Sequence, residues 1–167
     1  MGSETLNSEA VWSGGCQCGA VRFRVKGQLG SASICHCRMC QKAFGNYYAP
    51  LVSVKEGTLE WTRGIRKLFR SSNHVERGFC ADCGTPLTYE APDGLALSIA
   101  AFDHPEKIVP VVQWGMEGKL PYLDELSALP AYTTDRDPES AEFVRTMISY
   151  QHPDHDTETW PQDQSHA

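Results

Sequence analysis

GGCQCGAVRF, residues 14–23, sets two cysteines one residue apart and then runs into an alternating stretch. Across AVRFRV (20–25), Val21, Phe23 and Val25 fall on one face and Arg22 and Arg24 on the other, the pattern of a half-buried strand. Two further cysteine segments follow. ICHCRMCQKAFG (34–45) carries Cys35, Cys37 and Cys40; RGFCADCGTPL (77–87) carries Cys80 and Cys83. Short spacings let a single turn present two thiolates, and zinc prefers tetrahedral sulfur or nitrogen coordination. A glycine beside such a pair, as at Gly84, permits the tight backbone of a metal-binding knuckle.

Seven cysteines cannot all pair into disulfides, and clustered thiols point to metal or redox chemistry. They divide naturally as four plus three. The triplet Cys35, Cys37 and Cys40 is local enough to wrap one ion. The pairs Cys16/Cys18 and Cys80/Cys83 then meet in a second site that staples the first strand to the middle of the chain. Four thiolates saturate zinc, whereas three leave a position for water or substrate, the mark of a catalytic ion. A rival partition joins Cys37/Cys40 to Cys80/Cys83 as a plain zinc ribbon and leaves Cys16, Cys18 and Cys35 unused. His36 is an alternative fourth ligand to the triplet, which would close it, although alternation in an extended Cys-His-Cys segment turns it away from its neighbours. His74 and His104 are candidate proton shuttles, or else surface histidines.

The rest of the chain narrows the class. Its 167 residues suggest one domain with modest extensions, and 41% apolar residues suffice for a core. A formal net charge of -6 disfavours general binding to nucleic acid or to anionic membranes. Arg63, Arg66, Lys67 and Arg70 are expected to form a solvated strand face, with a local basic patch as the alternative. No apolar run approaches the roughly 18–20 residues that span a bilayer. The polar start, MGSETLNSEA, lacks a secretory pattern, so the expected compartment is the reducing cytoplasm. Gly2 raises myristoylation as an alternative use of that start.

Further strands are expected over Tyr47–Val54, Thr58–Thr62, Ile65–Arg70, Leu95–Phe102 and Ile108–Trp114. Pro50 should demote its strand to an edge or force a bulge. One helix is expected after Asp137, a capping residue, and Pro138, suited to the first turn. Its stripe of Phe143, Val144, Met147 and Ile148 should pack on the domain or form a dimer contact. The expected division is a flexible segment at 1–10, a zinc-binding domain at 11–135, and a helix with a polar tail at 136–167. The tail, from His152 onward, should be mobile unless Trp160 docks it.

The three cysteine segments resemble, in order, the pattern of the glutathione-dependent formaldehyde-activating enzymes and the related centromere protein V group. QWGMEGKLPYLDELSALP (113–130) is similar to that family's C-terminal segment, with Tyr122 where relatives often carry Trp. The likeness covers about Val11 to Tyr132, and Gly15, Gly19, Gly45 and Gly84 fit with the cysteines. It implies a mainly β fold, the β-tent, with antiparallel sheets pinned by zinc. It implies two zinc ions: a structural one on Cys16, Cys18, Cys80 and Cys83, and a catalytic one on Cys35, Cys37 and Cys40. The implied reaction is a carbon–sulfur lyase chemistry, the condensation of glutathione or a similar thiol with formaldehyde or another small aldehyde. Arg38, Lys42 or Arg66 are candidates to hold a glutathione carboxylate. The competing class is a non-enzymatic, zinc-pinned protein-binding module, which long basic or Pro-rich extensions would favour; this chain carries none.

Overall fold

The computed structural model describes residues 10–159. Residues 1–9 and Trp160 lie outside this range, so the flexible start, Gly2 and the docking of Trp160 do too. Among the described residues the fold is mainly β, with ten strands in two sheets. β1 (Val11–Gly15), β2 (Arg22–Lys26) and β5 (Leu59–Arg63) form a three-stranded antiparallel sheet in the order β1-β2-β5. The larger sheet runs β10-β3-β4-β9-β8-β7-β6. Its members are β3 (Ala32–Cys35), β4 (Ala49–Val54), β6 (Lys67–Arg70), β7 (Glu76–Phe79), β8 (Pro86–Ala91), β9 (Gly94–Ser98) and β10 (Val112–Trp114). Among the described residues the β10–β3 pairing is parallel and the other strand pairings are antiparallel.

The alternation of AVRFRV places the core. Val21, Phe23 and Val25 are buried, and Phe23 meets Trp61 and Phe102 edge-on, with ring centroids 6.0 and 5.1 Å away. Leu87, Leu97 and Val52 from the larger sheet complete this core, which also holds Cys16 and Cys80. Burying a side chain such as Phe23 contributes roughly 1.5–3 kcal/mol.

Several expectations change. Pro50 does not sit on an edge: β4 lies between β3 and β9. The amide of Ser53 points to β3, donating to Ser31 O, so by alternation position 50 faces β9. Pairing with β9 stops at Leu51↔Ser98, so the missing N–H of Pro50 costs no ladder bond. The stretch expected as strand to Phe102 ends at Ser98 and becomes a 3₁₀ turn, Ile99–Ala101. The strand expected from Ile108 begins only at Val112. Strands β1, β3, β7 and β8 and the short helix α1 (Arg38–Phe44) were not expected; all of these but β8 are short and carry a cysteine or glycine.

Helix α2 (Pro138–Thr146) starts as expected, with the Asp137 carboxylate accepting from the Ser140 amide at 2.9 Å and Pro138 in the first turn. Its apolar stripe does not pack on the domain. The helix ends at Thr146, so Met147 and Ile148 leave helical spacing, and all four stripe residues are exposed. The described part of the polar tail, in contrast, is held. His152 is buried and its amide donates to Gln17 O; Asp156 bonds Arg22 and Arg24, each at 2.9 Å; Arg63 donates to Thr157 O at 2.5 Å. Residues 152–157 form a strap over the arginine face of β2 and β5, which is why Arg22 is buried rather than solvated. No helix among the described residues is long and apolar enough to cross a membrane.

Candidate metal centres

The turn between β1 and β2 carries Cys16 and Cys18, and the turn between β7 and β8 carries Cys80 and Cys83. The two turns belong to different sheets. Their four sulfurs all lie within 4.8 Å of one another, with Cys16 and Cys18 3.5 Å apart and Cys18 and Cys80 3.8 Å apart. A zinc–sulfur bond of about 2.3 Å in a tetrahedron sets sulfurs about 3.8 Å apart, so the donor set fits such an ion. Gly84, at φ 77°, takes the left-handed backbone that closes the second knuckle, where its amide donates to Cys80 O at 3.0 Å.

Local hydrogen bonds pull toward anionic sulfur at Cys16 and Cys83. The Val21 amide donates to Cys16 Sγ at 3.2 Å. Burial opposes ionisation at Cys83, but hydrogen bonds from the Thr85 hydroxyl and amide, with others from Cys18, bring its thiol down to about 6. Burial pushes the Cys16 and Cys18 thiols up. A bound cation would supply the compensation those two need.

The triplet is built differently. Cys35 ends β3; Cys37 caps α1, its sulfur accepting from the Cys40 amide at 3.4 Å; Cys40 lies in the first turn of that helix. Their sulfurs lie within 4.8 Å of one another, and among the described residues no other His, Cys, Asp or Glu joins this group. Around it sits a small second core of Ala49, Leu51, Phe44 and Tyr89. The arrangement corresponds to four plus three, not to a ribbon of Cys37/Cys40 with Cys80/Cys83.

His36 is buried and turned aside: its Nε2 is 2.8 Å from Gln113 Oε1, and its ring meets Tyr48 edge-on. The backbone of this segment is clamped from β10 and the turn after it. The His36 amide donates to Trp114 O at 2.8 Å, and buried Gln41 donates from Nε2 to both His36 O and Gly118 O at 2.8 Å. Gly115, at φ 65°, lies so close that an added Cβ would stand 2.8 Å from the Cys37 amide nitrogen. Tyr122 keeps an aromatic contact, meeting Tyr47 edge-on with centroids 5.7 Å apart.

Arg77, on β7, is a residue that the spacing of the cysteines did not mark. It is buried, its Nη2 donates to Cys40 Sγ at 3.4 Å and its guanidinium lies over the Tyr89 ring, 5.4 Å from the centroid. Burial pushes the Cys40 thiol up to about 12 against the pull of Arg77. At Cys37 burial is outweighed by hydrogen bonds from the Cys40 amide and the neighbouring thiols and by the charge of Arg77, so its thiol is lowered.

Of the residues considered for carboxylate binding, Arg38 and Lys42 line a cavity of about 370 Å³ together with Phe69, Ser71 and Arg77. Arg66 is elsewhere: it is paired with Glu90, Nη2–Oε2 2.7 Å, and stacked on Trp61. The basic patch is thereby divided, since Arg63 serves the strap while Lys67 and Arg70 stay exposed. His74 and His104 are exposed and stand outside both cysteine groups.

The profile of one family, described as glutathione-dependent formaldehyde-activating enzyme, matches residues 11–116. An uncharacterized lyase of Schizosaccharomyces pombe is 25% identical over 83 residues, covering 50% of this chain and 60% of that protein, so the chain spans less than two thirds of this relative's length. A crystal structure of a Rhodobacter sphaeroides protein, 22% identical, superposes with a TM-score of 0.50 over 60% of this chain and 98% of that one. That last likeness concerns the fold alone.

Proposed function

We propose, since the chain belongs to the glutathione-dependent formaldehyde-activating enzyme family, that it is a zinc-dependent carbon–sulfur lyase joining a small thiol to a small aldehyde. Glutathione and formaldehyde are the reference pair. The observation that carries the reading is the contrast between the two cysteine groups: one offers four converging sulfurs, the other three, with the nearby His36 bonded away to Gln113.

On this reading Cys16, Cys18, Cys80 and Cys83 hold a structural zinc that pins the two sheets, and Cys35, Cys37 and Cys40 hold the reactive one. Zinc held by these three thiolates would supply a position that lowers the pKa of a bound thiol toward neutral pH. The chain's own residues do the remaining work. Gln41 and the Trp114 carbonyl fix the backbone of the segment carrying Cys35 and Cys37, so the three sulfurs keep one geometry. Arg38 and Lys42, which line a cavity together with Arg77, attract the carboxylates of a thiol such as glutathione. The reaction forms one sulfur–carbon bond as the carbonyl π bond opens, and the thiol proton ends on the carbonyl oxygen; no oxidant or reductant is needed. The gain is mainly capture and proximity of the two reactants.

The test is magnetisation exchange between ¹³C-formaldehyde hydrate and its glutathione adduct. The zinc-loaded protein should accelerate exchange over the uncatalysed rate, and Cys37→Ser should remove the acceleration. An exchange rate equal to buffer with fully loaded protein overturns the enzyme reading.

A further inference from the structure

Arg77 is a cation placed where the fold has little else polar to offer it. It is 7% exposed. Its Nε donates to Ser71 Oγ at 3.2 Å and its Nη2 to Cys40 Sγ at 3.4 Å, but its buried Nη1 meets no hydrogen-bond acceptor among the described residues. Leaving a buried guanidinium donor unmet is costly, because its water has been removed and not replaced. Such a group is tolerated where something from outside the chain completes it.

The charge balance of the triplet says what kind of group that is. Three thiolates around a divalent ion carry one net negative charge, so a further anion is repelled unless a cation stands close. Arg77 touches one of the three sulfurs and brings the site to neutrality. Arg38 and Lys42, which line a cavity with Arg77, extend the same bias outward. A neutral ligand gains little from this arrangement; an anion gains the charge and an unused donor.

We propose that Arg77 is the positioning residue that makes the three-cysteine site select anionic ligands, thiolates included, over neutral ones. It acts through Cys40, by hydrogen bond and charge, and through the free Nη1. This inference rests on the open-site reading above and adds the residue that sets the class of ligand.

The test uses the full chain loaded with cobalt, titrated with azide as the anion and imidazole as the neutral ligand, and read in the visible spectrum. The four-cysteine site is saturated and contributes a constant background. Arg77→Met should weaken azide by about tenfold or more, a change of about 1.4 kcal/mol, while imidazole stays within about twofold. Arg77→Lys keeps the charge without the planar fork and should recover part of the loss. Ser71→Ala, which removes only the hydroxyl that anchors Nε, is the milder variant and should shift azide alone, in the same direction, whether or not Arg77→Met folds. Equal weakening of both ligands, or no change in azide in any folded variant, overturns the role of Arg77 and leaves the open site standing. A parent protein that binds neither azide nor imidazole overturns the open site itself, and the inference with it.

Discussion

Arg22 and Asp103, 81 positions apart in the chain, form a two-pronged ion pair sealed from solvent: Nη1–Oδ1 is 2.7 Å and Nη2–Oδ2 2.6 Å, with each side chain 4% exposed. Ser13 donates to the same carboxylate at 2.6 Å, so β1, β2 and the turn after β9 meet at one point. Removing one partner of a buried pair leaves the other charge stranded, which costs about 3–5 kcal/mol. Arg22→Met, which strands Asp103, should lose stability of that order in urea denaturation at neutral pH; Asp103→Asn should lose less, since Arg22 keeps Asp156 at 2.9 Å.

The same pair predicts acid lability. Burial opposes ionisation of Asp103, but Arg22 and Ser13 outweigh it and hold the carboxyl below its usual range. Asp156 is lowered likewise by Arg22 and Arg24 against burial. A carboxylate depressed in the folded state contributes stability that is fully present above its unfolded value of about 3.9 and lost as the pH falls through the folded one. Stability measured from pH 6 downward should therefore fall below about pH 4, and less steeply in Asp103→Asn, which has already lost the group.

The strap over β2 and β5 should act as part of the fold. Asp156 is partly exposed, so Asp156→Ala should cost only about 1 kcal/mol, a drop in melting temperature of about 2–4 °C. His152 is held below its ordinary value by burial and by the charges of Arg22 and Arg63. As a base with a lowered folded value, it contributes stability above about pH 6.5 that is lost as the pH falls toward the folded value. The protection factors of the amides between His152 and Thr157, taken against the intrinsic exchange rate at each pH, should fall below about pH 6.5 in the parent protein and less so in His152→Gln.

Metal analysis during graded chelation should find two zinc ions per chain, released in two steps. Cys80→Ser breaks the site that joins the sheets and should largely unfold the domain, since structural zinc contributes on the order of 10 kcal/mol in small modules. Cys37→Ser should lower the melting temperature far less and abolish only the weaker step. Equal losses in the two variants would mean that both sites are structural.

His36 should be silent toward the metal. With its Nε2 on Gln113, His36→Ala should leave the visible spectrum of the cobalt-loaded triplet unchanged, while glutathione alters it in the parent and not in Cys40→Ser. A spectrum that responds to His36→Ala but not to glutathione would identify a closed site.

The sequence by itself determined the features that depend on short-range spacing. Cys16/Cys18, Cys35/Cys37/Cys40 and Cys80/Cys83 were legible as ligand groups because such short intervals let one local segment present two or three thiolates, and the alternation of Val21, Phe23 and Val25 marked a core face. Asp137 and Pro138 marked a helix start for the same local reason. Tertiary structure alone decided which groups meet. The meeting of the Cys16/Cys18 and Cys80/Cys83 turns, expected from the four-plus-three division, is made there, and so are two contacts that spacing did not mark, Arg77 at Cys40 and the His36 ring at Gln113, which join residues tens of positions apart. So does the strap, where a polar tail with no apolar pattern is ordered by arginines on a strand face that alternation had assigned to water. Burial of charge depends on a partner's position in space, and a partner more than 130 residues away leaves no trace in local periodicity.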